Sequence, residues 1–315
     1  MEAVKISVII CTYNPPQDVF SKCLNSISNA NVLFPPHEVL IIDNNSSEPL
    51  VNASYVKGFL QQHAFAKVMV ETSQGLTPAR LRGIKESSGD LLIFIDDDNF
   101  IDDNYFQAAA VIRNTHPFIG AYSGQVSLVY DREPESWTKR YWGMLIHRKL
   151  SKDLWSNQLF NNDTMPNGAG MCVTRDTADH YVTLFETGKR SFNLDRSKQS
   201  LLSGGDNDLA MCACDIGKGM GLFKDLHLQH YIPAKRFTLA YLAKLTYGIY
   251  YSYVILLYMR EGRIYETTFL NRLKTLVQIN MMKRNDRIIQ RASRKGLEDG
   301  IRYVQTHMIH DQKSH

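Results

Sequence analysis

Three short runs of aliphatic, largely β-branched residues each stop on a polar side chain: Lys5–Cys11 on Thr12, Glu38–Ile42 on Asp43, and Leu91–Ile95 on Asp96. Short apolar runs bounded by turn-forming residues read as buried strands. A fourth run, Lys67–Glu71, lies between the second and third. Elsewhere the spacing becomes helical: Phe20, Cys23, Leu24 and Ile27 mark a helix over Val19–Ile27. Another is predicted over Pro78–Ser87, with Thr77 as its N-cap and Pro78 at its first position. Strands alternating with helices imply an α/β fold with a mainly parallel sheet. Such sheets bind ligands beyond the carboxyl ends of their strands. Thr12, Asp43 and Asp96 are therefore expected to share one site.

Composition narrows the class. The chain has 315 residues, 44% of them apolar, enough to bury a sizeable core and to argue against global disorder. A net charge of +4 does not call for nucleic acid, but it is unevenly spread: from Arg260 onward twelve Lys/Arg stand against six Asp/Glu, a net of +6. That basic tail follows an apolar, tyrosine-rich stretch, Leu239–Met259, which reads as a membrane-surface or core helix rather than a span. Together they suit an anionic surface such as phospholipid headgroups. Five cysteines without a regular framework point to a reducing compartment, and the amino terminus lacks the pattern of a signal peptide. The expected location is cytoplasmic, with peripheral attachment to the inner face of the membrane.

The most informative cluster is Asp96-Asp97-Asp98. Adjacent carboxylates repel one another unless a hard cation neutralises them, and Mg²⁺ or Mn²⁺ typically takes one or two carboxylates together with substrate phosphates. The alternative is a solvated acidic turn. Asp43 can accept a hydrogen bond from a base imide, or simply close a turn with the Asn and Ser residues that follow. Arg80 can pair with phosphate or sit on a solvated helix face. Asp206 and Asp208 occupy a glycine-rich turn before an apolar helix, Leu209–Cys214; either can act as a general base, and Asp208 can instead cap the helix. His227 and His230 are each either a structural histidine or an extra metal ligand. No GxGxxG follows the first strand, which disfavours a dinucleotide oxidoreductase.

In order along the chain, SVIICTYNP (Ser7–Pro15), VLIIDNNSS (Val39–Ser47), GLTPARLRGI (Gly75–Ile84), GDLLIFIDDDN (Gly89–Asn99), NGAGMCVTR (Asn167–Arg175) and SGGDNDLA (Ser203–Ala210) resemble the family 2 glycosyltransferases, chiefly bacterial ones. The resemblance implies a GT-A fold of Rossmann-like architecture with a C-terminal helical extension. It places a GT-A domain at 1–238, with a nucleotide-sugar half to about 125 and an acceptor half from about 126, and an extension at 239–315. It also implies an inverting, Mn²⁺- or Mg²⁺-dependent transfer from a nucleotide-diphosphate sugar, UDP-sugar favoured, to a glycan or lipid-linked acceptor in bacterial surface polysaccharide synthesis. By the same resemblance Thr12, Tyr13 and Asn14 line the nucleotide pocket, Asp43 holds the base, and Arg80, Asp96 and Asp97 lie along the nucleotide and diphosphate. Asp98 and His230 bind metal, Gly168, Ala169, Gly170 and Asp208 border the donor sugar or acceptor, and Asp206 is the base. Gly205 departs from the acidic residue the family often has there, which leaves Asp208 a competitor for the base. A nucleotide-sugar-binding protein without turnover and a sugar nucleotidyltransferase are the alternatives. The latter usually opens with a glycine-rich phosphate loop that Thr12–Pro16 lacks.

Overall fold

The computed structural model describes residues 4–190, 202, 204–266 and 268–308. The first four strands are β1 (Ile6–Thr12), β2 (Glu38–Asp43), β3 (Ala66–Val70) and β4 (Leu91–Phe94). They are parallel, in the order β3-β2-β1-β4. Helices α1 (Gln17–Leu33), α2 (Ser54–Gln62) and α3 (Leu76–Glu86) connect them. The β1–β2 register sets Thr12 beside Asp43, so the polar strand ends do meet at one edge. Side chains on both faces of this sheet are fully buried, Ile10, Ile41 and Ile93 on one and Ile9, Leu40 and Leu92 on the other, as expected for strands covered on both faces.

The α3 helix starts differently from the sequence expectation. Its N-cap is Gly75, at φ 135°, and not Thr77, so Pro78 is third rather than first in the helix. That φ favours glycine, and Asn44 Oδ1 fixes the turn by accepting from Gly75 N at 2.7 Å. Further along, a Cβ on Gly83 would fall 2.5 Å from Ile9 Cγ2, so this glycine lets α3 lie close on β1 and brings Arg80 to the strand ends.

Downstream follow β5 (Asn99–Ile101), α4 (Tyr105–Thr115), β6 (Ile119–Tyr130), β7 (Leu154–Ser156), β8 (Met171–Thr174), α5 (Arg175–Glu186), α6 (Gly205–Asp215) and β9 (Gly219–Ile232). β8 joins antiparallel to β4 and leads the sheet on through β6, β9 and β5, with β7 on β9. The α6 helix begins at Gly205, earlier than the expected Leu209. Asp206 and Asp208 therefore sit inside its first turn, and Asp208 is not its cap.

The described residues form two compact units, 4–130 with 145–190 and 206–232, and 131–144 with 202, 204–205, 233–266 and 268–308. Residues 131–144 thus group with the C-terminal part, a different division from the boundary at 238. The second unit contains α7 (Leu239–Glu261), α8 (Phe269–Met281) and α9 (Arg284–Tyr303). A cause of the grouping is visible at the start of α9, where Asp286 accepts from Arg140 Nη1 at 2.7 Å and from the Tyr141 hydroxyl. The α7 helix, which contains the apolar stretch, packs along α9, and Tyr247 donates to Asp299 Oδ2 at 3.0 Å. No helix among the described residues is long and apolar enough to cross a membrane.

Glycines set the α7–α9 approach. A Cβ on Gly296 would lie 2.4 Å from the Tyr247 carbonyl oxygen, a backbone atom that cannot rotate away. Gly296→Val is expected to destabilise the protein by about 1–3 kcal/mol, the usual cost of overpacking, seen as a lower thermal midpoint. Gly143→Ala, at a position with nothing within 4 Å, should leave the midpoint in place. An unshifted midpoint for Gly296→Val would contradict this packing.

Candidate active site

The loops after β1 and β2 are tied to one another. Asn14, at φ 48°, donates its N–H to Ser46 Oγ at 2.9 Å and accepts from Ser47 N at 2.9 Å. Tyr13 beside it is half-buried. Thr12 is buried and donates its hydroxyl to the Asp97 carboxylate, linking the first loop to the acidic cluster. Asp43 is buried, with Oδ1 accepting from Ser46 N at 2.9 Å and Oδ2 from Leu50 N at 3.0 Å. The turn role foreseen for Asp43 is therefore present. Each carboxylate oxygen keeps a second lone pair, so this role is compatible with holding a base.

Asp96, Asp98, Asp206, His230 and Arg80 converge. Burial, then the negative charges of Asp98 and Asp206, push the Asp96 carboxyl up to about 6, against the opposing pull of His230 and Arg80. The β5–β9 register sets Asn99 opposite His230, and His230 Nε2 lies 3.4 Å from Asp98 Oδ1. Asn99 holds the same carboxylate through Nδ2 at 3.1 Å. Arg80, only 4% exposed in its side chain, pairs with Asp206 and lies 5.8 Å over the Phe94 ring.

The donor set fits a divalent cation that arrives with a diphosphate. Three carboxylates share this pocket with His230, an excess of negative charge that a hard cation relieves. Among the described residues no three His, Cys, Asp or Glu side chains form a metal cage by themselves. Asp98 and His230, 3.4 Å apart, are the side chains that could hold such an ion together with phosphate oxygens.

The segment Gly168-Ala169-Gly170 lies against this cluster. A Cβ on Gly168 would fall 2.0 Å from Asp206 Oδ2, so glycine is what allows the carboxylate its place. Ala169 is buried, and Gly170 adopts φ +65° with its carbonyl accepting from the Tyr105 hydroxyl at 2.6 Å. The two candidate bases separate clearly. Asp206 is 38% exposed and can be reached by substrate; Asp208 is 3% exposed and takes Arg190 Nε at 3.0 Å and 3.3 Å on its two oxygens.

Three contributors escaped the sequence reading. Asn44 is buried and donates to the Glu71 and Ser73 carbonyls at 3.1 and 2.7 Å, besides accepting from Gly75. It sets the third loop on the second; its position beside Asp43 was its only signal. Tyr55, on the unforeseen α2, has its hydroxyl pKa raised by burial and then by Asp97 and Asp43, which places it near those two carboxylates. Asn167 Nδ2 and His230 Nδ1 are buried with no hydrogen-bond partner among the described residues.

The Asp208–Arg190 pair generates a stability test. Removing one member of a buried pair strands the other charge, which typically costs about 3–5 kcal/mol. Asp208→Ala is expected to lower the thermal midpoint sharply; Asp206→Asn, which leaves buried Arg80 facing a neutral amide, should lower it less, because Asp206 is 38% exposed and Asp96 still offsets part of the Arg80 charge. The reverse order of midpoints would refute this division of roles.

Residues 7–168, just over half of the chain, match the family described as Glycosyl transferase family 2. The uncharacterized glycosyltransferase YwdF of Bacillus subtilis (strain 168) is 32% identical over 116 residues, covering 37% of this chain and 41% of that protein. An N-acetylglucosaminyltransferase of Bradyrhizobium diazoefficiens is 25% identical over 142 residues, covering 44% of this chain and 28% of that protein. The chain spans less than half the length of these curated relatives. Residues 1–349 of S. aureus TarS superpose with a TM-score of 0.51 at 15% identity, over 98% of this chain and 92% of that one. GalNAc-T7 crystallised with UDP, GalNAc and Mn²⁺ gives 0.50 at 13% identity, over 99% and 58%. The α/β sheet with its clustered strand ends is the GT-A fold with a helical extension, and the chain belongs to glycosyl transferase family 2.

Proposed function

We propose that the chain transfers a sugar, with inversion, from a nucleotide-diphosphate donor to an acceptor hydroxyl, and that Asp206 is the base. The observation carrying this reading is the solvent-reachable Asp206 carboxylate, which shares one pocket with Asp96, Asp98 and His230 and is held by Arg80. Thr12, Tyr13, Asn14 and Asp43 form the nucleotide side of the site, where Asp43 offers its spare lone pair to a base imide. UDP is the favoured nucleotide, in keeping with the UDP and Mn²⁺ of the GalNAc-T7 structure.

A sugar hydroxyl is a weak nucleophile at neutral pH, so its proton must leave as attack proceeds. Asp206 accepts that proton while the acceptor oxygen bonds the anomeric carbon. The bond from that carbon to the diphosphate oxygen breaks, and its electron pair leaves with the diphosphate. Mn²⁺ or Mg²⁺ held by Asp98 and His230 would supply charge neutralisation for the leaving group. Arg80 holds the Asp206 carboxylate and fixes its direction. Gly168-Ala169-Gly170 offers a side-chain-poor floor on which a sugar ring can approach Asp206. The acceptor belongs to a glycan or lipid-linked glycan of the bacterial surface, and the basic tail favours work at the inner face of an anionic membrane.

The test is a panel of nucleotide sugars assayed for turnover with Mn²⁺ or Mg²⁺. Asp206→Asn is expected to keep nucleotide affinity and lose about a hundredfold or more in turnover, the scale of general-base loss. Asp98→Asn should abolish the metal-dependent part of nucleotide binding by calorimetry. Normal turnover of Asp206→Asn would overturn the assignment of the base, and undiminished Mn²⁺-dependent binding by Asp98→Asn would overturn that of the metal ligand.

A further inference from the structure

The second unit carries a groove of its own. Two adjoining cavities, about 570 and 490 Å³, share Trp137 and Asn285 in their walls. Arg132 and Lys235 line the first; Lys283 and Arg284 line the second. These four side chains make no hydrogen bond or ion pair among the described residues, and all four residues are exposed. The groove also holds carboxylates: Glu135 accepts from Trp137 Nε1 at 2.9 Å, and Asp286 from Arg140 and Tyr141. In the first cavity Glu133 and Glu135 face Arg132 and Lys235; in the second Arg140, Lys283 and Arg284 outweigh Asp286, so the groove as a whole is positive.

The backbone adds to this positive field. The α7 helix is capped by Thr238 and α9 by Lys283, and both starts line the groove. The first N–H groups of a helix lack intrahelical partners and carry the positive end of its dipole. A groove lined by unengaged guanidinium and ammonium groups, two helix starts and an indole shared by both cavities matches a phosphate attached to a sugar. The cations and N–H groups meet the phosphate oxygens, and the indole offers its flat apolar face to the ring.

We propose that this groove binds a phosphate-bearing glycan, with its phosphate among Arg132, Lys235 and Lys283 and a neighbouring sugar ring on Trp137. That this ligand is the acceptor rests on the glycosyl-transfer function proposed above; the binding itself does not. The phosphate can belong to a soluble phosphoglycan or to the headgroup of a lipid carrier, and the chemistry of recognition is the same for both.

Glucose 6-phosphate, inorganic phosphate and glucose serve as probes, titrated into the full chain by calorimetry or nuclear magnetic resonance. Glucose 6-phosphate is expected to bind more tightly than inorganic phosphate, glucose not to bind, and affinity to fall with added salt. The variant Arg132→Ala/Lys235→Ala/Lys283→Ala should bind it at least ~10-fold more weakly, the scale of one lost charge-assisted contact. Its thermal midpoint and its affinity for UDP with Mn²⁺ should be unchanged. Equal binding of glucose, no binding of glucose 6-phosphate, or full affinity in the variant would each overturn the proposal. So would a parallel loss of UDP binding, because the groove would then not be a separate site. Co-sedimentation with phosphatidic acid vesicles that glucose 6-phosphate reverses identifies a lipid-borne phosphate. Sugar-phosphate binding without vesicle binding identifies a soluble glycan. Vesicle binding that the variant retains in full counts against the groove. Absence of sugar transfer from every nucleotide sugar would defeat the catalytic reading alone and leave these binding results standing.

Discussion

A guanidinium buried as deeply as that of Arg80 cannot shed its charge and must be compensated where it stands. Its counter-charge is Asp206, delivered from α6, more than a hundred residues further along the chain. The pair joins the parallel half of the sheet to the segment bearing the proposed base. Much of the local architecture serves to make it possible. Gly83 lets α3 settle on β1, Gly75 and Asn44 set where α3 begins, and Gly168 leaves room for the carboxylate itself. A bulkier residue at any of these points would move one member of the pair away from the other.

The same crowding explains why the acidic loop keeps its form. Asp96, Asp98 and Asp206 repel each other, and the raised pKa of Asp96 records that repulsion together with its burial. The loop is restrained by contacts that do not neutralise it: Thr12 on Asp97, Asn99 on Asp98, and the Tyr231 N–H on the Asp98 carbonyl at 2.9 Å. His230 and Arg80 offset part of the charge. A pocket left with surplus negative charge is suited to a ligand that brings its own cation, and poorly suited to a bare diphosphate.

The parts of the fold legible in the sequence were those whose signal is local. Strand ends at Thr12, Asp43 and Asp96 could be read because a buried parallel strand is a continuous apolar run that stops where the ligand edge begins. The α3 cap could not: Thr77 and Pro78 present the usual residues of a helix start, and only the tie from Asn44, distant in sequence, shows that Gly75 takes that place. Asp206 and Asp208 look alike in the sequence, two acids flanking Asn207. Arg190, which occupies one of them, lies 18 residues before Asp208 in a different segment. Tyr55 was invisible because α2 is short, at nine residues, and its relation to Asp43 and Asp97 exists only through the fold.

Charge along the chain follows the same division as its chemistry. The net +4 conceals a segment from Arg260 onward with twelve Lys/Arg against six Asp/Glu, and a remainder that is slightly acidic. In the sheet-bearing unit the conspicuous feature is a cluster of carboxylates; in the helical unit it is a groove with unengaged Arg132, Lys235, Lys283 and Arg284. Both arrangements are complementary to phosphate, in opposite ways. Carboxylates attract it only through an intervening divalent cation, which suits a bond that must be polarised and broken. Guanidinium, ammonium and helix-start N–H groups attract it directly, which suits a phosphate that must be held unreacted. Within the readings proposed here, a phosphate meeting the first site is a leaving group and one meeting the second is a handle. The chain can distinguish them by the sign of the field each encounters.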